Sequence, residues 1–334
     1  MSEPVSYEPP FTITPKILDL VSQISEVVTR LEILEPKSIS PTLRKVNKIK
    51  TITGTLEIEG NTLGIEKVTA ILEGKRVLGS TREIAEVQGA IKVYDALETF
   101  DYKSIENILS AHKMLMAEIL TKAGTFRIQD VGVGGSEGVV HVAPPSSQVV
   151  NLIHDLFDWV KTSDIHPLIK SSVFHYEFEF IHPFIDGNGR IGRLWQSLIL
   201  HDWKKIFSSI PVESVVRDAQ TEYYKALEDS GSLGESTPFI EFMLEAILLT
   251  CNQTLETNQD VPLNVPKNVP LKRLDQIISI IQENRDVTID QLAQLCDVSS
   301  KTIKRDISKL KYDGKLERVG SLKSGYWKIV RKLK

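Results

Sequence analysis

The sequence predicts a mostly α-helical chain with a short β-hairpin and a C-terminal winged helix-turn-helix. Three observations carry this. Apolar residues recur at i, i+3 and i+4 through most of the first 255 residues. A single glycine- and valine-rich interruption falls at 124–145. Prolines four apart, Pro262, Pro266 and Pro270, then separate an acidic body from a basic tail. The chain has 334 residues, enough for two or three domains with a sizeable core. Its 41% hydrophobic and 25% charged content excludes a disordered or fibrous class.

Residues 1–11 carry Glu3, Glu8, Pro4, Pro9 and Pro10, and lack the basic start and apolar stretch of a signal peptide. No run approaches the length of a membrane span, so no membrane partner is expected. Cys251 and Cys296 lie far apart without CxxC spacing, which predicts reduced thiols and a cytoplasmic location. Helical periodicity covers 17–34, 68–78, 84–97, 105–119, 149–160, 169–180, 218–227 and 239–255. Alternating valines among glycines within 124–145 predict the hairpin, a plain surface loop being the alternative. His141 then reads as a turn residue rather than a metal ligand, and His175 as a structural one.

The net charge of −4 is unevenly spread: 261–334 holds 16 Lys and Arg against 8 Asp and Glu, leaving −12 on the rest. This asymmetry marks a separate basic module. The expected domains are a helical segment over 1–99, a core over 100–258, a linker over 259–270 and the winged helix over 271–334. In that module a first helix carries Leu274, Ile277, Ile278 and Ile281, and Thr288 caps a second with Leu292, Ala293 and Leu295. Asp297, Val298 and Ser299 form the turn. Residues 300–310 form the candidate recognition helix, with Ile303, Ile307 and Leu310 inward and Lys301, Lys304, Arg305 and Lys309 outward. Asp313-Gly314 ends it, and strands over 316–319 and 325–329 suggest the wing. Such a surface suits DNA through 299–311, or protein contacts and dimerisation.

The chemistry concentrates at His182-Pro183-Phe184-Ile185-Asp186-Gly187-Asn188-Gly189-Arg190-Ile191-Gly192-Arg193. Gly187 and Gly189 permit a turn close to a ligand, and the apolar run after them opens a helix whose N-terminus attracts phosphate. Arg190 and Arg193, three apart, offer guanidinium forks to phosphate oxygens. Asp186 suits Mg²⁺, which takes carboxylate plus substrate phosphate, and His182 suits proton removal. Asn188 is expected to shape the turn and reach phosphate, and Phe184 to anchor the loop by packing. Further upstream, Thr55-Leu56-Glu57-Ile58-Glu59-Gly60-Asn61 places Thr55 and Glu59 one helical turn apart, with Gly60 at the position after a helix end.

The twelve-residue stretch resembles the Fic family signature, His-x-Phe-x-(Asp/Glu)-Gly-Asn-Gly-Arg-x-x-Arg, at every specified position. The resemblance implies a Fic-type helical bundle that transfers AMP from ATP to a Ser, Thr or Tyr hydroxyl of a target protein. It assigns catalysis to His182, Asn188 and Arg193, and Mg²⁺ to Asp186. ATP contacts fall on Gly187, Asn188, Gly189, Arg190, Ile191, Gly192 and Arg193. Tyr223 and Tyr224 resemble a family helix beside the nucleotide, where an aromatic stacks on adenine, packing between helices being the alternative. The hairpin at 124–145 corresponds to a flap that holds the target as an added strand. The motif ending at Glu59 resembles the family's inhibitory helix, (Ser/Thr)-x-x-x-Glu-(Gly/Asn), and implies that Glu59 pairs with Arg193 and excludes the γ-phosphate. Removal of AMP by the same site, and a DNA-binding regulator responding to nucleotide, are the alternative functions. A homodimer is the default assembly.

Overall fold

The computed structural model describes residues 7–38, 41–135 and 138–259, and beyond them 277–278, 280–281, 285, 287–296, 298–312, 315–319 and 326–329. The chain divides into two compact units, Met1–Asp260 and Val261–Lys334. The linker past Gln259, Leu274, Asp297, Asp313, Gly314 and Gly325 lie outside the described residues.

The first unit runs α1 (Pro15–Ser38), α2 (Pro41–Ile58), α3 (Gly64–Leu72), α4 (Thr81–Asp95) and α5 (Ile105–Met116). The hairpin of β1 (Gly132–Gly135) and β2 (Gly138–Val142) follows. Then come α6 (Val149–Thr162), α7 (Pro167–Ile181), α8 (Asn188–Trp203), α9 (Val212–Asp218), α10 (Gln220–Leu233) and α11 (Thr237–Gln259). The strands pair antiparallel, Gly132 opposite Val142, with an irregularity after Val133.

Helix α7 is central and buried nearly all round: Leu168, Ile169, Val173, Phe174, Phe178 and Ile181 are buried, and so are the polar Lys170, His175 and Glu177. Its two serines avoid stranded hydroxyls by donating to Leu168 O, at 3.0 Å each. His166 Nδ1 accepts the Leu168 N–H at 3.2 Å, and Pro167 occupies the first turn, so the start is fixed. Helix α8 packs along α7, α11 lies against α7, α1 and α10, and α2 lies on α9. Ile17, Ile24 and Leu31 share one core with Phe239 and Leu244, so residues 1–99 and 100–258 pack as one body.

The end of α2 is closed by a Schellman turn. Gly60 has φ 84°, its N–H bonds Glu57 O at 3.0 Å, and Asn61 N–H bonds Leu56 O at 3.1 Å. Three neighbours hold that end in place. Arg217 Nη1 donates to Glu57 Oε2 at 2.9 Å, Gln220 Nε2 to Ile58 O at 2.7 Å, and Asn61 Nδ2 to Glu86 Oε2 at 2.9 Å.

Two expected helices are redrawn. The periodicity over 68–78 overshoots, because α3 stops at Leu72. Gly74 takes φ 72° and bonds Ile71 O, Lys75 bonds Ala70 O, and Leu78 is left 88% exposed. The helix expected over 218–227 is α10, which starts at Gln220 and runs on to Leu233; α9 ends before it at Asp218, and Ala219, with φ −112° and ψ 39°, breaks the two apart.

In the second unit, residues 277–278 and 280–281 are helical, α12 spans Ile289–Leu295 and α13 spans Ser300–Tyr312. Strands β3 (Leu316–Val319) and β4 (Tyr326–Ile329) pair antiparallel. Thr288 Oγ1 accepts from Gln291 N at 3.2 Å while Gln291 Oε1 accepts from Thr288 N at 2.9 Å, a reciprocal cap that starts α12. Ile303, Ile307 and Leu310 enter the core with Ile277, Leu292 and Trp327. Lys301, Lys304 and Arg305 are exposed, and Lys309 is half-buried. Among the described residues no helix is long and apolar enough to cross a membrane.

Candidate active site

The turn between α7 and α8 is held open by backbone bonds. His182 ends α7 with φ 50° and ψ 58°, and is the one non-glycine among the described residues with positive φ. That conformation costs about 1–2 kcal/mol for an L-residue. It persists because His182 N–H bonds Phe178 O at 3.0 Å and Arg127 Nε donates to His182 O at 2.8 Å. A hydrogen bond from a charged donor contributes about 1.5–3 kcal/mol, enough to offset the strain. Phe184 is buried, and the Asn188 carboxamide takes both its N–H (2.8 Å) and its C=O (2.9 Å).

The Phe184 ring stacks on His112, with centroids 3.7 Å apart. His112 Nδ1 accepts the Gly124 N–H at 2.8 Å, so Nε2 carries the hydrogen and donates to Asp186 O at 3.0 Å. Burial drives the His112 pKa down to about 4, so the ring is neutral near pH 7. Gly187, with φ 90°, then opens α8; a Cβ there would also press on Met116 Sδ at 3.1 Å.

The first turn of α8 leaves the N–H groups of Asn188, Gly189 and Arg190 without intrahelical acceptors. Two buried arginines flank them. Arg190 Nη2 donates to Asp186 Oδ1 at 2.8 Å, and Nη1 lies 3.5 Å from Glu86 Oε1. The other Asp186 oxygen accepts from Arg82 Nη2 at 2.7 Å. Arg193 Nε donates to Thr55 Oγ1 at 2.9 Å, and Nη2 to Glu59 Oε1 at 2.6 Å. A Cβ built on Gly189 would strike Glu59 Oε1 and stand 3.1 Å from Arg193 Nη1. The Glu59 carboxylate therefore lies beside Gly189 in the first turn of α8. Among the described residues, Arg193 Nη1 and Arg190 Nε have no hydrogen-bond partner.

A second carboxyl stands beneath this pair. Glu179 is pushed up to about 8 by burial and by the Glu59 charge, so it holds its proton near neutrality. The neighbouring His175 is pulled down to about 3, chiefly by burial and then by Arg193. Its Nδ1 donates to Gln196 Oε1 at 2.7 Å and its Nε2 accepts from Tyr223 at 3.1 Å. The Glu179 pKa is raised on folding, so its contribution to stability is complete below the unfolded value and fades as pH rises toward 8. Replacing Glu179 with glutamine is expected to flatten this dependence. Thermal melts of the two proteins between pH 5 and about 8.5 should show the variant gaining relative stability with pH; parallel curves would place the proton elsewhere.

The structure brings His182, Asp186, Gly187, Asn188, Gly189, Arg190, Arg193 and Glu59 to one turn. Others lie deeper. Ile191 is fully buried, and its N–H bonds Gly187 O at 3.0 Å. A Cβ built on Gly192 would meet Glu179 and His175. Tyr223 is 1% exposed and packs on His175 and Phe239, so it cannot stack on adenine. Tyr224 is 47% exposed and donates to Ile58 O at 3.3 Å. The Asn188 carboxamide is spent on Phe184, which leaves its backbone N–H for an anion.

Asp186 has both oxygens on arginines. Among the described residues no group of three or more His, Cys, Asp or Glu is set to hold a metal. Sequence reasoning gave no role to Arg82, Glu86, His112, Arg127 and Glu179. Arg127 alone left a signal, a single long cation amid small residues.

Residues 102–200 match the Fic/DOC family model, and 273–321 a DeoR-like helix-turn-helix domain. Among solved structures, a Fic family protein from Desulfovibrio desulfuricans G20 is 39% identical, with 98% of this chain and 100% of that one covered and a TM-score of 0.74. Fic-1 from C. elegans (residues 134–508) shares the fold at 24% identity, over 73% and 72% of the two chains, with a TM-score of 0.58. The chain belongs to the Fic family. The protein adenylyltransferase Fic of Drosophila ananassae is 28% identical over 74% of this chain and 52% of its own length. That of Drosophila willistoni is 27% identical over 67% and 45%. The chain thus spans about half the length of the curated relatives it matches.

Proposed function

We propose that this protein transfers AMP from ATP to a side-chain hydroxyl of a target protein, and that Glu59 restrains it. One observation carries the reading: a carboxylate of the same chain rests on Arg193 and beside Gly189 in the first turn of α8. Free N–H groups at a helix start and a buried guanidinium are a site for an anion, and Glu59 supplies one from within. The unused N–H groups on Arg193 and Arg190 fit phosphate oxygens.

In the reaction the target hydroxyl oxygen bonds to the α-phosphorus. The bond from that phosphorus to the bridging oxygen of the β-phosphate breaks, and pyrophosphate leaves. His182 takes the hydroxyl proton, while α8 and its arginines hold the phosphates, so the protein contributes chiefly position and charge. Asp186 would hold Mg²⁺ once Arg82 frees one of its oxygens, and the ion would offset phosphate charge. The strands at 132–135 and 138–142 suit a target laid alongside by main-chain bonds. Incubation with ATP labelled in the α- or the γ-phosphate tests the reaction. Protein-bound label is expected from the α position alone; label from the γ position would make it a phosphorylation, and loss of AMP from pre-modified protein would favour removal.

The second unit supports a further role in DNA binding through 299–311, because Lys301, Lys304 and Arg305 are exposed on α13. Replacing Lys304 and Arg305 with alanine is expected to weaken binding to genomic fragments and to reduce the salt slope by about one for each phosphate left without its cation. An unchanged mobility shift would assign α13 to protein contacts.

A further inference from the structure

We infer that Arg127 is a positioning residue, holding the base-bearing turn in register with both feet of the hairpin. The inference rests on the proposed AMP transfer, with His182 as its base. Arg127 is 3% exposed, yet its planar fork meets four backbone carbonyls. Nε donates to His182 O at 2.8 Å, and Nη2 to Ile181 O at 3.3 Å and Pro144 O at 2.5 Å. Nη1 donates to Gln129 O at 2.9 Å, and the backbone N–H bonds Pro183 O at 2.8 Å.

Gln129 precedes β1 and Pro144 follows β2, so one cation ties together the two ends of the hairpin and the end of α7. The bond to His182 O fixes the peptide plane that follows a left-handed residue. With that plane fixed, the Cα–Cβ direction of His182 is fixed too. A guanidinium reaches carbonyls spread around its plane, of which a lysine ammonium would meet only one or two. A target strand laid on the hairpin and the imidazole that must meet its hydroxyl are thereby referred to the same atom group.

The test uses the full chain carrying Glu59→Gly, with Arg127→Met and Arg127→Lys added separately. Histidine-labelled NMR reports each imidazole, and His182→Asn identifies the His182 signals. In Arg127→Met the His182 signals are expected to shift or broaden while those of His175, held by Gln196 and Tyr223, stay in place. The transfer rate at saturating substrates is expected to fall about tenfold or more, of the order of a mispositioned base, with ATP affinity unchanged. Arg127→Lys should recover part of the rate.

Unmoved His182 signals, or an unaltered rate in both variants, would overturn the inference. So would loss of ATP affinity and His175 signals in both variants, since Arg127 would then only hold the fold. If the Glu59→Gly parent transfers no AMP, the reading of the reaction fails, and the histidine signals still decide the role of Arg127.

Discussion

Glu59→Gly raises AMP incorporation into protein about tenfold to a hundredfold, the equivalent of roughly 1.4–2.7 kcal/mol. The magnitude follows from the pair it removes. Arg193 is 2% exposed, and its bond at 2.6 Å joins a buried guanidinium to a Glu59 carboxylate whose side chain keeps 30% of its surface in solvent. A bond of this kind contributes about 1.5–3 kcal/mol, and a phosphate must displace it before Arg193 can serve. Removing the carboxylate also vacates the space above Gly189 and ends the repulsion between Glu59 and an incoming polyphosphate. ATP affinity should rise with the rate, since the same carboxylate opposes both. Glu59→Gln keeps the volume without the charge and should fall between the two. Quantified label from α-labelled ATP decides the matter: equal incorporation by parent and variant means that Glu59 is not the restraint.

His182→Asn, in the Glu59→Gly background, lowers transfer by about 10²–10⁴-fold, the usual contribution of a positioned general base. Asparagine is the better substitution because of the backbone. His182 sits at φ 50°, where alanine is strained and asparagine is tolerated. Alanine would therefore mix loss of a proton acceptor with relaxation of the turn. On the proposed reading the phosphates bind at α8, so ATP binding measured by calorimetry should not change. Retained transfer would remove His182 from the proton step, and lost ATP binding would show that the turn had collapsed.

The 182–193 stretch was legible because its parts are neighbours in sequence. A turn, a helix start and two arginines three apart can be laid out from spacing alone. Glu59 was legible for a different reason: Thr55, Glu59 and Gly60 are one turn and a stop, so the motif defines its own geometry. Arg127, Arg82 and His112 were not, because each acts through groups 55, 104 and 74 positions away. Tyr223 and Tyr224 carried two readings, stacking on adenine by resemblance and packing between helices. A helix turns by about 100° per residue, so Tyr223 entered the core, as the second reading has it, and Tyr224 stayed outside. The helix expected over 68–78 overran at its C-terminal end, because the left-handed Gly74 after Leu72 outweighed the apolar spacing beyond it.

Under the proposed restraint, the Schellman turn after α2 governs how Glu59 would leave Arg193. Arg217, Gln220 and Glu86 fasten that helix end. Pulling the helix away would break all of these at once, whereas swinging the Glu59 side chain about its own bonds breaks one. The proposed release would thus be a rotamer event on a stationary scaffold. Partly exposed side chains hop within nanoseconds, so the enzyme would toggle between shut and open as an equilibrium, and any binder that favours either rotamer would set its throughput without unfolding anything.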